Sequence, residues 1–437
     1  MGKKLPRNHN NKAGGKTAPQ RRASSTTRGS ENKAAFSIFR SIEHEILSRL
    51  PVKSLLRCRS VCKQWRSIID DPSFVDVHAS RSQTSPGSCR MLISFSELDG
   101  SKHYFFSANL RGGPAVNHIT LPGCNKGSQS PCQCNVSESL NGLVLFSNGT
   151  ELYICNPSRQ SVQTLPPSSA GSWYEKLDCH LNSPFSSYSF GFDPSTKEYK
   201  VLHIIGICHR TDMKLSDVQC EVLTVKANLG RGQIIIEGGI PWRRMSRVPP
   251  FPYPFRSQGV CVNGAIHWIG ISGPGQEILV AFDVASEKFR MTALPVGVSS
   301  KANLTQIGGR LALLGDKGYD TFSIELWVLK EYHNTLWVKQ SVAFPHLKKQ
   351  AKNPLPLGTV HTGEIFLVPD VLLHTYLVIP YQKTTVKKIK ITRLPEWIEL
   401  HGEKNINFSI TNHVESFLPL ENKKTLQFGD LVFYVDT

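Results

Sequence analysis

The chain has no long apolar run: nowhere in its 437 residues do 18 consecutive positions stay free of polar side chains, which excludes a membrane-spanning helix. Its first residues lack the apolar core of a secretory signal, and Pro6 stands where a myristoylation motif after Gly2 wants Ser or Thr. The nucleus or cytoplasm is therefore the expected location. Eleven cysteines, an odd number without paired spacing, exclude a disulfide framework and read as small buried hydrophobes. Gly-rich phosphate loops and the Gly-x-Ser-x-Gly elbow are missing, and His44-Glu45 lacks the second His of a zinc peptidase. Cys124, Cys132 and Cys134 share one loop but lack the two close pairs and fourth ligand of a zinc site, while Cys58 and Cys62 read as core. No catalytic residue, metal or cofactor is assigned. An enzyme would need carboxylates or ligands converging from distant strands on one mouth of the domain.

Acid is scarce as well, with 34 Asp and Glu against 51 Lys and Arg and a net charge of +17. The excess is uneven. Residues 1–34 carry Lys3, Lys4, Arg7, Lys12, Lys16, Arg21, Arg22, Arg28 and Lys33 against Glu31 alone. This segment has too few apolar side chains to offset its ordering entropy, so it is expected to be a disordered basic tail, with nuclear import or organellar transit as its alternatives to an inert solvated tail. The remaining excess is diluted over some 400 residues, which argues against a dedicated nucleic-acid face.

What is present begins with helical periodicity over Ser41–Asp70. Ile42, Ile46 and Leu47 share one face of a first helix, with Ser41 as expected N-cap and Pro51 as its stop. Pro51 is then expected as the first residue of a second helix carrying Leu55 and Leu56, and a third is expected from Ser60 with Val61, Cys62, Trp65, Ile68 and Ile69. A short fourth helix should continue to about Arg81, followed by a linker over 82–89. About 40 residues cannot bury this many apolar side chains, so part of the face should be completed by a partner.

From Arg90 the period changes from 3.6 to 2. Met91–Phe95, Leu143–Phe146, Leu152–Ile154, Tyr199–Ile205, Ile266–Ile269, Ile278–Phe282, Ile324–Leu329 and Ile365–Val368 are β-rich runs bounded by Gly, Asn, Pro or Asp. The turns Asn141-Gly142, Asn263-Gly264, Gly308-Gly309 and Thr362-Gly363 each precede alternating apolar residues, as tight hairpins require. Gly264, Gly309 and Gly363 recur 45 and 54 residues apart, the spacing of four-stranded blades. The expectation is a small α head followed by an all-β, propeller-like domain of six or seven blades over 90–437, with a pair of β-sandwiches as the alternative.

Glu45–Leu56, Arg59–Arg66, Asp71–Phe74 and His78 resemble the F-box of plant F-box proteins, over about 38–81. Ile154–Gln160, Phe190–Pro194, Gly259–Trp268 and Ala281–Val284 resemble the F-box-associated domain of the same proteins, kin in design to kelch propellers. The resemblance implies a head that docks on the Skp adaptor of a cullin-RING ubiquitin ligase, through Ile42, Ile46, Leu47, Leu50, Pro51, Val52, Leu55 and Trp65, and a β domain that selects an unnamed protein substrate. Where the family usually opens Leu-Pro-x-Asp-Leu, this chain has Ile38-Phe39-Arg40-Ser41-Ile42, which keeps open a second reading: an interaction module whose F-box no longer assembles a ligase. For substrate contact, Tyr253, Phe255 and Arg256 interleave aromatics, cation and prolines in one loop, and Trp173 and Tyr174 are the next candidates, while Trp242 is expected to pack between blades.

Overall fold

The computed structural model describes residues 39–84, 89–97, 99–123, 134–168, 182–209, 211–228, 233–236, 242–249, 254–255, 257–273, 276–316, 323–332, 334–343, 355–359, 363–368, 375–380, 387–395, 408–418 and 420. The basic tail, Cys124 and Cys132 lie outside them. Two compact units divide the chain, Met1–Ile46 and Leu47–Thr437. The first contributes most of helix α1, residues 39–47, on which Phe39, Ile42 and Ile46 form an exposed stripe at three-and-four spacing. Ser41 lies inside α1 and does not cap it.

The second unit opens with α2 (Val52–Arg59), α3 (Lys63–Ile69) and α4 (Pro72–Thr84). Pro51 is the N-cap of α2, with φ −59° and ψ 150°, not its first residue. The third helix starts later than Ser60, because Ser60 and Val61 turn back to donate to the Arg57 and Cys58 carbonyls, both at 3.1 Å, closing α2. Cys62 then caps α3, its sulfur accepting from the Trp65 N–H at 3.4 Å. Leu47, Val52, Leu55, Ile68, Ile69 and Phe74 bury one another, and Phe417 from the far end of the chain joins them.

Six antiparallel sheets follow among the described residues. The second takes Asn135–Val136, Val144–Ser147, Leu152–Asn156 and Ser161–Thr164, and the third takes Asn182–Asp193, Glu198–His209, Leu215–Asn228 and Gln233–Ile236 with Arg243–Arg244 alongside. Val260–Val262, Ala265–Gly273, Gln276–Asp283 and Lys288–Ala293 make the fourth, and Asn303–Ile307, Arg310–Asp316, Ser323–Glu331 and Leu336–Ala343 the fifth. The sixth has Leu355–Thr359, Glu364–Val368, Thr375–Pro380 and Lys387–Thr392, with Gly113–Pro114 added in parallel. The first sheet joins the two ends of the domain: Cys89–Ser96, Lys102–Asn109 and Val116–Pro122 are completed by Phe408–Val414, with Cys89 opposite Val414 and Phe95 opposite Phe408.

The sheets pack face to face in a ring. Met91, Ile93 and Phe95 bury against Phe366 and Ile391 of the sixth sheet, while Leu92, from the other face of the same strand, buries against Phe146 and Tyr153 of the second. Similar clusters join the second sheet to the third, the third to the fourth, the fourth to the fifth and the fifth to the sixth. Both faces of a sheet are therefore apolar, which is why the strands read as nearly continuous hydrophobic runs. This is a β-propeller. Three of the four expected hairpin turns form, with φ of 50° and 81° at Asn141-Gly142, 52° and 75° at Asn263-Gly264, and 56° and 73° at Gly308-Gly309; of the fourth, Gly363 has φ 93° and Thr362 lies outside the described residues. Cys155, Cys208, Cys220 and Cys261 are buried thiols, whereas Cys62 is exposed.

Five histidines are built into the sheets as neutral groups. His103 sits between Phe105 and Phe146 with its Nδ1 2.8 Å from Ser96 Oγ, His203 stacks on Tyr188 at 3.9 Å, and His413 lies between the hydroxyls of Ser139 and Ser158. Burial pushes all three down to about 3, and His118 and His267 to about 4. The unfolded chain takes up these protons near pH 6.5 and the folded chain does not. Their stabilisation is therefore complete above that pH and is lost as pH falls toward the folded values. Thermal melts followed by circular dichroism should give a midpoint that is level above about pH 7 and falls steadily below 6.5. A midpoint unchanged down to pH 4.5 would contradict the neutral assignment.

Candidate functional site

Two regions stand out: the junction of head and propeller, and a cleft lined by strands of the second to fourth sheets. At the junction, the segment after Phe408–Val414 clasps the head. Glu415 accepts the Val52 N–H at 2.8 Å, which satisfies one of the orphan donors at the start of α2, and its other oxygen pairs with Arg90 at 3.1 Å. Phe417 enters the head core while Arg159 lies 4.6 Å over its ring and donates to its carbonyl at 2.9 Å. Burial, with Arg59 nearby, lowers Arg159 to about 10. Asn156 donates to the carbonyls of Ser416 and Leu418 at 3.0 and 2.7 Å. Gly142 must be glycine here: at φ +81°, a Cβ would lie 2.4 Å from that of Ser416. His78 donates from Nε2 to the Leu50 carbonyl at 3.1 Å, fixing the start of α2 to α4.

The residues expected to meet the Skp adaptor divide by burial. Ile42, Ile46 and Pro51 are exposed, and Leu50 and Trp65 are half-buried against the head core. Leu47, Val52 and Leu55 are buried in that core at 2%, 0% and 0% exposure, so in this structure they pack inside the head and not on its surface. Their helical spacing identified apolar side chains but could not show that Phe417 covers them.

The cleft, about 310 Å³, is lined by Asn135 to Ser137, Leu145 and Ser147 of the second sheet, Phe185 to Ser189 of the third, and Phe255 with Ser257 to Gly259 before the fourth. Among the described residues no charged side chain lines it. Phe255, expected to be a free recognition side chain, instead stacks on Trp268 at 4.8 Å, and Trp268 donates to Ser189 Oγ at 3.1 Å. It forms a wall of the cleft as part of the packing between sheets. A Cβ on Gly259 would lie 2.7 Å from the Trp268 indole nitrogen, so this approach needs glycine. Ser186 Oγ lies 2.9 Å from His203 Nε2, whose buried Nδ1 has no hydrogen-bond partner. An unpaired acceptor costs less than an unpaired buried N–H, so the proton resides on Nε2 and the Ser186 hydroxyl proton is directed elsewhere. Trp242 packs between sheets as expected, donating to the Pro166 carbonyl at 2.9 Å. Tyr253, Arg256, Trp173 and Tyr174 lie outside the described residues.

Comparison with known proteins agrees with both halves. The F-box associated beta propeller domain family matches residues 90–414, and the F-box domain family matches residues 41–76. The chain belongs to the F-box proteins that carry this propeller. Among its relatives in Arabidopsis thaliana, "F-box protein At1g30790" is 30% identical over 80% of this chain and 88% of its own length. "Putative F-box protein At1g46984" is 28% identical over 86% and 92%, and "F-box protein At5g65850" 27% identical over 93% and 96%. An F-box joined to a propeller is the organisation of a substrate-adaptor type protein. Among the described residues no helix is long and apolar enough to cross a membrane.

The clasp makes a quantitative expectation. Phe417→Ala should cost about 3 kcal/mol, through lost burial and the cavity left in the head. Chemical denaturation should record the loss, and hydrogen exchange at the Val52 amide should accelerate with it. An unchanged exchange rate at that amide would mean that the segment does not hold α2.

Proposed function

We propose that this F-box protein is the substrate-recognition subunit of an SCF-type cullin-RING ubiquitin ligase. The head engages the Skp adaptor and the propeller holds a protein marked for ubiquitination. The observation that carries the reading is the exposed apolar stripe of Ile42 and Ile46 inside the segment that matches the F-box family, extended by Phe39 just before it. Catalysis then belongs to other subunits, and this chain acts by positioning, in the nucleus or cytoplasm. The uncharged cleft favours a substrate segment that presents amide and hydroxyl groups rather than charge, since Ser186 and the serines around it offer both donors and acceptors. The second reading, a propeller interaction module without ligase assembly, follows from Phe39 and Ser41 standing where the family usually has proline and aspartate.

Co-purification with a Skp adaptor decides between them. Ile42→Asp with Ile46→Asp places two charges on the stripe and should weaken adaptor capture on the order of a hundredfold or more, while thermal stability stays near that of the wild type because both side chains are exposed. No capture by the wild type would favour the module without a ligase, whereas full-yield capture by this variant would move the adaptor contact away from the stripe.

A further inference from the structure

A second, smaller cleft opens where the outer margin of the fourth sheet meets the fifth. It measures about 190 Å³ and is lined by Leu279, Ala281, Arg290 and Thr292 on one side and Leu329, Tyr332 and Thr335 on the other. The register explains its composition. Ala281 stands opposite Arg290, and Leu279 opposite Thr292, so these four share one face, the face whose inner part packs against the fifth sheet through Ile269 and Leu279. Beside Arg290 this packing leaves a narrow cleft, whose apolar lining is otherwise nearly buried, with Leu279, Ala281 and Leu329 at 1%, 5% and 6% exposure.

Three features of this cleft are complementary to one kind of ligand. Arg290 is exposed and forms no ion pair among the described residues. Tyr332 is positioned by His267, whose Nε2 lies 2.8 Å from the phenol oxygen. The other ring nitrogen of His267 faces the Val260 carbonyl at 3.3 Å, and a carbonyl only accepts, so Nδ1 carries the proton and Nε2 accepts from Tyr332. The phenol proton is thereby committed, and the oxygen has only lone pairs left for the cleft. Leu279, Ala281 and Leu329 supply an apolar wall, in a volume suited to one residue of a peptide rather than to a whole small-molecule ligand. Asp283, also within electrostatic range of Tyr332, is turned to its own loop, accepting from the Ser286 N–H at 2.7 Å.

We propose that this cleft binds the C-terminal residue of a partner peptide. The free carboxylate pairs with Arg290, the last backbone N–H donates to the Tyr332 oxygen, and an apolar last side chain rests on Leu279, Ala281 and Leu329. A guanidinium matches the two carboxylate oxygens with two parallel N–H donors, and the neighbouring apolar wall limits competition from water. The proposal adds a peptide site to the substrate-recognition reading and rests on that reading for its purpose. Peptide binding is measured on the chain alone, so its failure is separate from a failure to bind the Skp adaptor.

The test uses the purified full chain and a fluorescein-labelled peptide, Gly-Ser-Gly-Ser-Gly-Ser-Leu, followed by anisotropy in three forms: with a free carboxylate, with a terminal amide, and amidated with an internal Glu. The free-carboxylate form should bind saturably, at least about tenfold tighter than the amide, and more weakly as salt rises. Arg290→Gln should remove that tenfold preference without moving the melting temperature, since the side chain is exposed, whereas Lys288→Ala on the same strand should leave it intact. Tyr332→Phe should weaken the free-carboxylate form while leaving its advantage over the amide. Equal affinities for acid and amide, an unchanged preference in Arg290→Gln, or no saturable binding would each overturn the assignment. Tighter binding of the internal Glu form would overturn it in favour of an acidic side chain.

Discussion

The pairing of Phe408–Val414 with Cys89–Ser96 is the constraint on which the rest of the molecule depends. Each sheet of a propeller has two apolar faces, so a row of sheets would leave one such face bare at each end. Bringing the last strand back to the first removes both bare faces at once. The cost is the entropy of closing a loop of more than 300 residues, which grows only logarithmically with length. Against it stands the burial of Met91, Ile93, Phe95, Phe106, Phe366 and Ile410 in a single cluster. Closure is thus favoured by area, and it fixes where the chain emerges.

What emerges is the clasp. Because Val414 is held opposite Cys89, Glu415 arrives beside Arg90 and the start of α2, and Phe417 follows into the head core. Two apolar bodies joined only by a linker would reorient freely; here a charge-assisted hydrogen bond, a ring under a guanidinium and two carbonyls bound by Asn156 hold α2 to the ring. For an adaptor this matters more than affinity alone. An adaptor contributes by positioning, and a fixed relation between α2 and the sheets of the ring provides it.

Local structure was legible in the sequence wherever one residue type decides the conformation. Asn141-Gly142 and Asn263-Gly264 had to be positive-φ turns, and the strands around Leu202, Ile266, Val280 and Leu326 were visible from their β-branched and apolar runs. Helix ends were less so. The chain does not stop a helix at Pro51 and start the next one there, and Cys62 caps α3 only because Ser60 and Val61 are taken by the end of α2. The site was least legible. Phe255 looked free because its neighbours are prolines and arginines, yet Trp268, thirteen positions on, offers a flat ring, and Gly259 lets the backbone pass close to that indole. Likewise Leu47, Val52 and Leu55 have a partner-seeking pattern, and only the return of Phe417 from the far end shows that part of the partner is intramolecular. Contacts across such separations leave no local signal.

The distribution of charge completes the physical picture. Net charge is strongly positive, yet the larger cleft is lined among the described residues by hydroxyls, amides and aromatic rings. Long-range attraction and close recognition are therefore separate properties. Cations on exposed strands and in the basic tail raise the encounter rate with acidic proteins generally and are screened beyond about 8 Å in physiological salt. Discrimination has to come from groups that lose water on contact, where a mismatched hydroxyl or amide leaves a buried polar atom unpaired. His203 illustrates how tightly such groups are set: with Nδ1 already unpartnered and Nε2 bound to Ser186, the ring permits only one economical arrangement of protons, and the Ser186 hydroxyl at the cleft is oriented by it in advance.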